Sequence, residues 1–151
     1  MLCQSLSSGV GCTQCGVPAF PAPGAGHHRR GARDIIQAAH EVHHELGFGF
    51  KESVYQNALY KELKKRGHNC ECQKEIKVYY KNELVGVFIP DMIVDREVIL
   101  ELKAVKDLCP EHEWQLINYL KASTIEVGLV INFGVSVQVK RKIFSHNRIK
   151  E

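Results

Sequence analysis

Hydrophobic residues recur at two different intervals along this chain, and the interval first changes after Gly67. Before that glycine the apolar positions lie three or four residues apart, which is the spacing of amphipathic helices. The runs cover residues 34–46 and about 52–66. Asp34 is followed three residues later by Gln37, a capping-box pattern that predicts the start of the first helix at Asp34. Two consecutive helices are therefore expected in the first half of the domain.

After Gly67 the apolar residues alternate with polar ones or form short continuous runs, which is typical of β-strands. Pro110, followed by two glutamates, suits the first position of a helix that extends to about residue 122. The predicted strands cover residues 76–80, 84–94, 98–105 and 125–133, and residues 135–144 form a final strand or the end of a strand followed by a helix. Two helices, three strands, a helix and two strands predict an α/β fold with a central mixed sheet flanked by helices.

The first 33 residues show neither of these periods. They contain three arginines and no acidic residue, which accounts for the whole net charge of +3. We expect residues 1–33 to be a disordered or non-homologous leader and residues 34–151 to form the domain. That domain is formally neutral, so it does not resemble a strongly basic DNA-binding module. No apolar run approaches the ~20 residues of a membrane span, and we expect a cytoplasmic protein without a membrane partner.

Four of the six cysteines are closely paired in sequence. Cys12 and Cys15 form a CxxC, and Cys70 and Cys72 form a CxC. Four thiolates can hold zinc or an iron–sulfur cluster, but the first pair lies in a leader with no packing pattern to position it. Reduced thiols without a ligand are the favoured interpretation, and a four-cysteine site is the alternative.

Charged residues interrupt two of the apolar strands. In the run 99–103, Glu101 and Lys103 share one face, while Asp91 follows Pro90 in the preceding strand. A two-residue turn between these strands would place Asp91 opposite a leucine. A three-residue turn at 95–97 places Asp91 opposite Glu101 and leaves five apolar residues together on the other face, so we predict the second register.

Charges in such apolar surroundings are costly unless they are paired or bind a ligand. Two neighbouring carboxylates can hold Mg²⁺ through hard oxygen ligands, and the ion can activate water for hydrolysis of a phosphodiester. Lys103 can then orient or deprotonate that water, or stabilise charge on the phosphate. The alternative is a salt bridge between Glu101 and Lys103 with no catalytic role.

Three motifs of the chain resemble those of the PD-(D/E)XK nuclease superfamily. Pro90-Asp91 followed by Glu101-Leu102-Lys103 is similar to the motif that names the superfamily. The segment 49–55, with Gly49, Glu52 and Tyr55, is similar to the signature of its GxxExxY family. Gln115 and Tyr119 are similar to the QxxxY element of RecB-like members. The resemblance covers about residues 34–145 and implies a restriction-endonuclease-like core.

The resemblance also implies roles for individual residues. Glu52, Asp91, Glu101 and Lys103 correspond to the catalytic set. Asp91 and Glu101, with support from Glu52, would hold Mg²⁺, for which Mn²⁺ can substitute. Gln115 and Tyr119 would contact the substrate, which is nucleic acid and by preference DNA.

Other interpretations remain at this point. Tyr55 fits a core position as well as a site position, and His43 is interpreted as structural. The function predicted is a Mg²⁺-dependent nuclease. The alternative is a module of the same fold that binds nucleic acid or a protein without cleaving.

Overall fold

A computed structural model describes residues 27–146 of the chain, with the side chains of residues 31–146. Within this part of the chain, no helix is both long and apolar enough to span a membrane. The helices and strands, in chain order, are α1 His27–Leu46, α2 Glu52–Lys65, β1 Cys70–Cys72, β2 Ile76–Tyr80, β3 Glu83–Phe88, β4 Met92–Val94, β5 Val98–Lys103, α3 Pro110–Ala122, β6 Val127–Phe133 and β7 Val137–Ile143.

Five of the strands form one mixed sheet in the order β1-β4-β5-β6-β7. The β5–β6 pair is parallel, and the other three pairs are antiparallel. Helices α1 and α2 pack on one face through a core that includes Ile35, Leu59 and Leu100. Helix α3 covers the opposite face through a second core that includes Ile99 and Leu116. This arrangement confirms the predicted α/β fold, a mixed sheet flanked by helices.

The register between β4 and β5 is the predicted one. Met92 pairs with Leu100 and Val94 with Val98, so three residues form the turn. Two of those, Asp95 and Arg96, have positive φ angles of 53° and 59°, which a tight turn requires. The apolar residues expected on one face lie together in the core under α1 and α2: Met92, Val94, Val98, Leu100 and Leu102.

The strand predicted at 84–94 was wrong, because this segment forms two strands that belong to different sheets. β3 pairs only with β2, in a separate two-stranded sheet, whereas β4 belongs to the main sheet. Pro90 lies between them and has no amide hydrogen to continue a ladder, so the chain leaves one sheet there and enters the other. The short strand β1, which pairs with β4, was not predicted because three residues are too few to show a period.

The start predicted for the first helix was also wrong, since α1 begins at His27 rather than Asp34. The Asp34 carboxylate does not cap the helix. Its oxygens accept hydrogen bonds from Arg66 Nη1 at 2.8 Å and from His68 Nε2 at 2.6 Å. A capping-box pattern depends only on residues close in sequence. Here the Asp34 side chain instead forms ion pairs with residues that are distant in sequence. Residues 27–33 of the predicted leader lie in α1, whereas residues 1–26, including Cys12 and Cys15, lie outside the described residues. The leader and the four-cysteine site therefore remain predictions.

His68 links two aspartates that are far apart in sequence. Its Nδ1 donates to Asp95 Oδ2 at 2.7 Å, while its Nε2 donates to Asp34. Both nitrogens can donate only in the imidazolium form. Burial lowers the pKa of His68, but the hydrogen bonds to Asp95 and Asp34 more than offset this, and the net pKa is raised. The bond to His68 is also the main cause of the lowered pKa of Asp34. We call Asp34, His68 and Asp95 the clasp.

The clasp should make stability depend on pH. A raised pKa in the folded state means that the contribution of His68 is complete below its ordinary value of 6.5 and is lost as the pH rises through the folded pKa. The contribution of Asp34 persists above its ordinary value of 3.8 and is lost at lower pH. His68→Gln should therefore cost roughly 1 kcal/mol at pH 5.5 and less at pH 8.5, as measured by urea unfolding. An equal cost at both pH values would contradict this assignment.

Candidate active site

The β4–β5 register places Asp91 and Glu101 on neighbouring strands. Asp91 immediately precedes β4, and extension of the observed pairing by one residue sets it opposite Glu101. Oδ2 of the Asp91 carboxylate accepts a hydrogen bond from the backbone N–H of Leu102 on β5 at 2.7 Å. On the other side, Gln56 Nε2 donates to the backbone oxygen of Asp91 at 3.0 Å. The position of Asp91 is thus fixed from both β5 and α2.

Glu101 is the most constrained acid in the site. Its side chain is on the face of β5 opposite Leu100 and Leu102, and only 3% of the residue is exposed. Oε1 accepts a hydrogen bond from Lys103 Nζ at 2.8 Å, whereas Oε2 is buried and has no hydrogen-bond partner among the described residues. Burial, with Asp91 adding to it, raises the pKa of Glu101 to about 7. One carboxylate oxygen is therefore available for a ligand.

Glu52 is the first residue of α2 and is half-buried. Burial raises its pKa, the Asp91 charge raises it further, and Lys103 opposes both. Burial likewise raises the pKa of Asp91, against the Leu102 hydrogen bond and the charge of Lys103. Each of Glu52, Asp91, Glu101 and Lys103 influences the pKa of another member of the set. The structure thus brings all four residues into electrostatic range of one another.

Lys103 is an ammonium among these acids. Its burial lowers its pKa, but the hydrogen bond and charge of Glu101, together with Glu52 and Asp91, more than offset that effect. The net pKa is raised, so Lys103 carries a positive charge at neutral pH. The observed ion pair agrees with the simpler interpretation of a salt bridge, but that pair engages only one oxygen of Glu101.

Gln115 and Tyr119 lie one turn apart on α3, with Gln115 Nε2 donating to the Tyr119 hydroxyl at 2.7 Å. Gln115 is exposed, whereas Tyr119 is buried and its ring contacts Phe88 edge-to-face at 5.7 Å. Burial raises the pKa of Tyr119, and the charge of Glu101 raises it further. The pair therefore lies beside the acidic cluster, with Gln115 on the solvent side.

Gly128 leaves room for Leu116 of α3 against the sheet. A Cβ at this position of β6 would lie 2.6 Å from Cδ1 of Leu116, one residue beyond Gln115. A side chain there would force Leu116 to shift, because atoms this close overlap. The glycine thus permits the close packing of Leu116, next to Gln115, on a strand that is otherwise almost entirely apolar.

Two residues that support the site were not predicted from the sequence. Gln56 holds the backbone of Asp91 and lies one helical turn after Glu52, a spacing that would have indicated the same helix face. Asn132 is fully buried, and its amide bonds both the N–H and the oxygen of Val105, each at 2.9 Å. It anchors the loop after β5. A polar residue inside the apolar run of β6 was the available signal.

Tyr55 and His43 both have structural contacts. Tyr55 is fully buried and stacks on Phe133 with ring centroids 4.6 Å apart. Its hydroxyl donates to the backbone oxygen of Gly47 at 2.7 Å. His43 Nε2 donates to the backbone oxygen of Gly134 at 2.8 Å. Both residues hold the loop between α1 and α2 against the end of β6.

The donor set fits a hard divalent cation. Glu101 Oε2 is a buried carboxylate oxygen without a partner, and Asp91 supplies a second carboxylate. Over residues 27–146, no three His, Cys, Asp or Glu side chains form a group that could hold a metal by themselves. Mg²⁺ does not need such a group, since it binds through one or two carboxylates and keeps several waters. Burial raises the pKa of Cys70 to about 11, so without a metal this thiol is protonated at neutral pH.

Comparison with known proteins gives one result that bears on this site. A family model described as the PD-(D/E)XK nuclease superfamily matches residues 29–143, which is 115 of the 151 residues. The chain belongs to the PD-(D/E)XK nuclease superfamily. Neither a search of curated proteins nor a search of solved structures gave a significant match.

Membership of the PD-(D/E)XK nuclease superfamily agrees with the fold and with the position of the site. Members of the superfamily are generally nucleases, and they typically use divalent metal ions. In this chain the matched residues include Asp91, which precedes β4, as well as β5 and α3, which carry Glu101, Lys103, Gln115 and Tyr119. The finer resemblance to the GxxExxY family remains a prediction.

The raised pKa of Glu101 should appear as a pH dependence of stability in metal-free protein. Because the folded state holds this proton up to about pH 7, against an ordinary value of 4.5, the free energy of unfolding should fall as pH rises between those values. Glu101→Gln removes this penalty. From pH 5 to pH 8 in chelator, the unaltered chain should lose roughly 1–2 kcal/mol relative to the variant. Parallel pH profiles from urea unfolding would contradict the expectation.

Proposed function

We propose that this protein is a Mg²⁺-dependent nuclease that hydrolyses phosphodiester bonds, with DNA as the preferred substrate. The observation that supports this most is the buried, unpartnered Oε2 of Glu101 beside Asp91 and Lys103. A buried carboxylate oxygen without a partner is rare, because leaving it so costs free energy. A bound cation would satisfy it and would lower the pKa of Glu101.

In this proposal Asp91 and Glu101 are the direct ligands and Glu52 supports the ion or its waters. Mg²⁺ bound there supplies a water of lowered pKa and offsets negative charge on the phosphate. Asp91 is prepared for this role because the Leu102 N–H fixes one of its oxygens. Mn²⁺ is expected to substitute for Mg²⁺, since oxygen ligands suit both ions.

Lys103 is proposed to stabilise charge on the scissile phosphate. Its raised pKa keeps the ammonium charged at neutral pH, which favours this role over removal of a proton from water. A nonbridging phosphate oxygen near Nζ would compete with Glu101 Oε1 for the ammonium. The Glu101–Lys103 ion pair then positions the lysine before substrate binds.

Gln115 and Tyr119 are proposed to contact the substrate. Gln115 is exposed, and the bond to the Tyr119 hydroxyl holds its amide in place. An amide can both donate to a phosphate oxygen and bond a base edge.

Asp91→Asn should separate metal binding from folding. Asparagine keeps an oxygen that can accept the Leu102 N–H, but it removes one charge and one good ligand. In chelator the variant should be as stable as the unaltered chain or more stable, because two neighbouring buried carboxylates no longer repel each other. Millimolar Mg²⁺ should raise the melting temperature of the unaltered chain by several degrees and that of the variant hardly at all.

The same proteins should be assayed for Mg²⁺-dependent cleavage of plasmid, linear duplex, single-stranded DNA and RNA. Asp91→Asn and Lys103→Met should each lower cleavage by about 100-fold or more. Lys103→Met should keep the metal-dependent shift, since it is not a ligand. Asp107→Asn, which removes an exposed acid from the loop after β5, is the matched control and should cleave normally. An unaltered chain without metal response or cleavage would favour a binding module.

Gln115→Ala should weaken cleavage about 10-fold while it leaves the affinity for Mg²⁺ or Mn²⁺ nearly unchanged. The exposed amide touches the substrate in this proposal, whereas the metal lies on Asp91 and Glu101. Metal affinity is read from the thermal shift across a titration. Loss of that shift in a folded variant would place Gln115 among the ligands and overturn its assignment.

A further inference from the structure

Two phenylalanines are exposed on the short loop between α1 and α2. Phe48 is 66% exposed and Phe50 is 49% exposed, and the loop leads directly into Glu52. Gly47 and Gly49 have positive φ angles of 71° and 106°, so glycines on either side of Phe48 set the path of the chain. A fully solvated phenylalanine forfeits the free energy of burial, and two of them lie within four residues of a predicted catalytic acid.

The loop is held in place by contacts at both ends. The Tyr55 hydroxyl donates to the Gly47 oxygen at 2.7 Å and accepts the Phe50 N–H at 3.3 Å. The Phe50 ring lies edge-to-face on Tyr55, with centroids 6.3 Å apart. Phe48 makes no ring contact with another aromatic side chain among the described residues. It is therefore presented to solvent from an anchored backbone.

These contacts locate the loop at the end of the sheet that carries Lys103. Tyr55 stacks on Phe133, which follows Asn132, the residue paired with Lys103 across β5 and β6. Next in the chain is Gly134, whose oxygen bonds His43 of α1. The backbone of Lys106 lies against the same glycine, with its oxygen 3.5 Å from the position of an added Cβ.

Exposed basic residues accompany the aromatic ones at this end. Lys51 adjoins Phe50 on the loop, and Lys106 lies on the neighbouring loop after β5, near the acidic Asp107. Exposed aromatic rings beside basic side chains are an arrangement by which proteins bind unpaired nucleic acid. Bases stack on the rings, and the ammonium groups neutralise phosphates.

We infer that the α1–α2 loop is a stacking surface for unpaired bases and that the site therefore acts on single-stranded or locally unpaired nucleic acid. This inference rests on the proposed nuclease function, because that function gives the direction of the bound nucleic-acid strand. The strand would run from Phe48 towards Glu52 and Lys103. In a duplex the base faces are already stacked on one another, so an aromatic side chain can use them only where pairing is lost.

The charge of the domain supports the same substrate. Residues 34–151 contain equal numbers of basic and acidic side chains. Binding along an intact duplex depends mainly on many lysine and arginine contacts to phosphate. Stacking requires fewer charges, because each base contributes through its π-face.

The test compares binding of a fluorescein-labelled, mixed-sequence 20-nucleotide DNA strand with the same strand annealed to its complement. Fluorescence anisotropy is measured with the full chain in chelator, so that cleavage does not interfere. The unaltered chain should bind the single strand at least 10-fold more tightly than the duplex. Phe48→Leu, which keeps an apolar side chain but loses the ring, should weaken single-strand binding about 10-fold and leave duplex binding unchanged. Phe48→Trp should restore tight single-strand binding.

Tyr79→Leu removes an aromatic side chain of similar exposure, 60%, from the β2–β3 hairpin and is the matched control. It should bind both probes as the unaltered chain does. Equal affinity for the two probes, or an equal loss in Phe48→Leu and Tyr79→Leu, would overturn the inference. Single-strand cleavage unaffected by Phe48→Leu, or duplex cleaved as fast as the single strand, would overturn it while leaving the nuclease proposal intact. Single-strand binding that depends on Phe48, without cleavage of any substrate, would support the surface and overturn the nuclease.

Discussion

The antiparallel pairing of β4 with β5 determines which side chains meet at the candidate site. Side chains of a strand alternate between faces, so a slip of one residue would turn Asp91 away from Glu101 and place it opposite Leu100. The three-residue turn prevents this, and two of its residues adopt positive φ angles to form it. The same register keeps five apolar residues of β4 and β5 under α1 and α2. The hydrophobic core and the acidic cluster are thus two consequences of one register.

The acidic cluster is destabilising in the absence of a ligand. Burial raises the pKa of all three acids, and in Glu101 one oxygen has no partner among the described residues. Lys103 bonds one oxygen of Glu101 and leaves the other without a partner, so it offsets part of this cost. Functional sites commonly hold such groups in arrangements that would be relieved by the ligand. The two cores on either side of the sheet supply the stability that makes the arrangement tolerable.

The features that could be predicted from the sequence are those determined by nearby residues. The alternation around Glu101 and Lys103 gave their shared face, and the pattern of apolar residues gave the register of Asp91. Pro110 marked the start of α3 correctly. Asp34 failed as a capping residue because its partners, Arg66 and His68, lie more than thirty positions away. The supporting roles of Gln56 and Asn132 were not predicted either, because their partners, the backbone groups of Asp91 and Val105, are distant in sequence.

The clasp has a consequence for the order in which the chain folds. His68 and Asp34 hold the turn through Asp95, at the end of β4 and β5 remote from the acids, and Asp34 is 61 positions from Asp95 in sequence. Two strands joined by a short turn pair quickly, whereas contacts across so many residues form late. The turn and the apolar pattern of β4 and β5 therefore set the register before the clasp can form. Docking of α1 then ties Asp95 to Asp34 through His68, so the N-terminal helix holds in place a turn that positions a candidate site to which it contributes no residue.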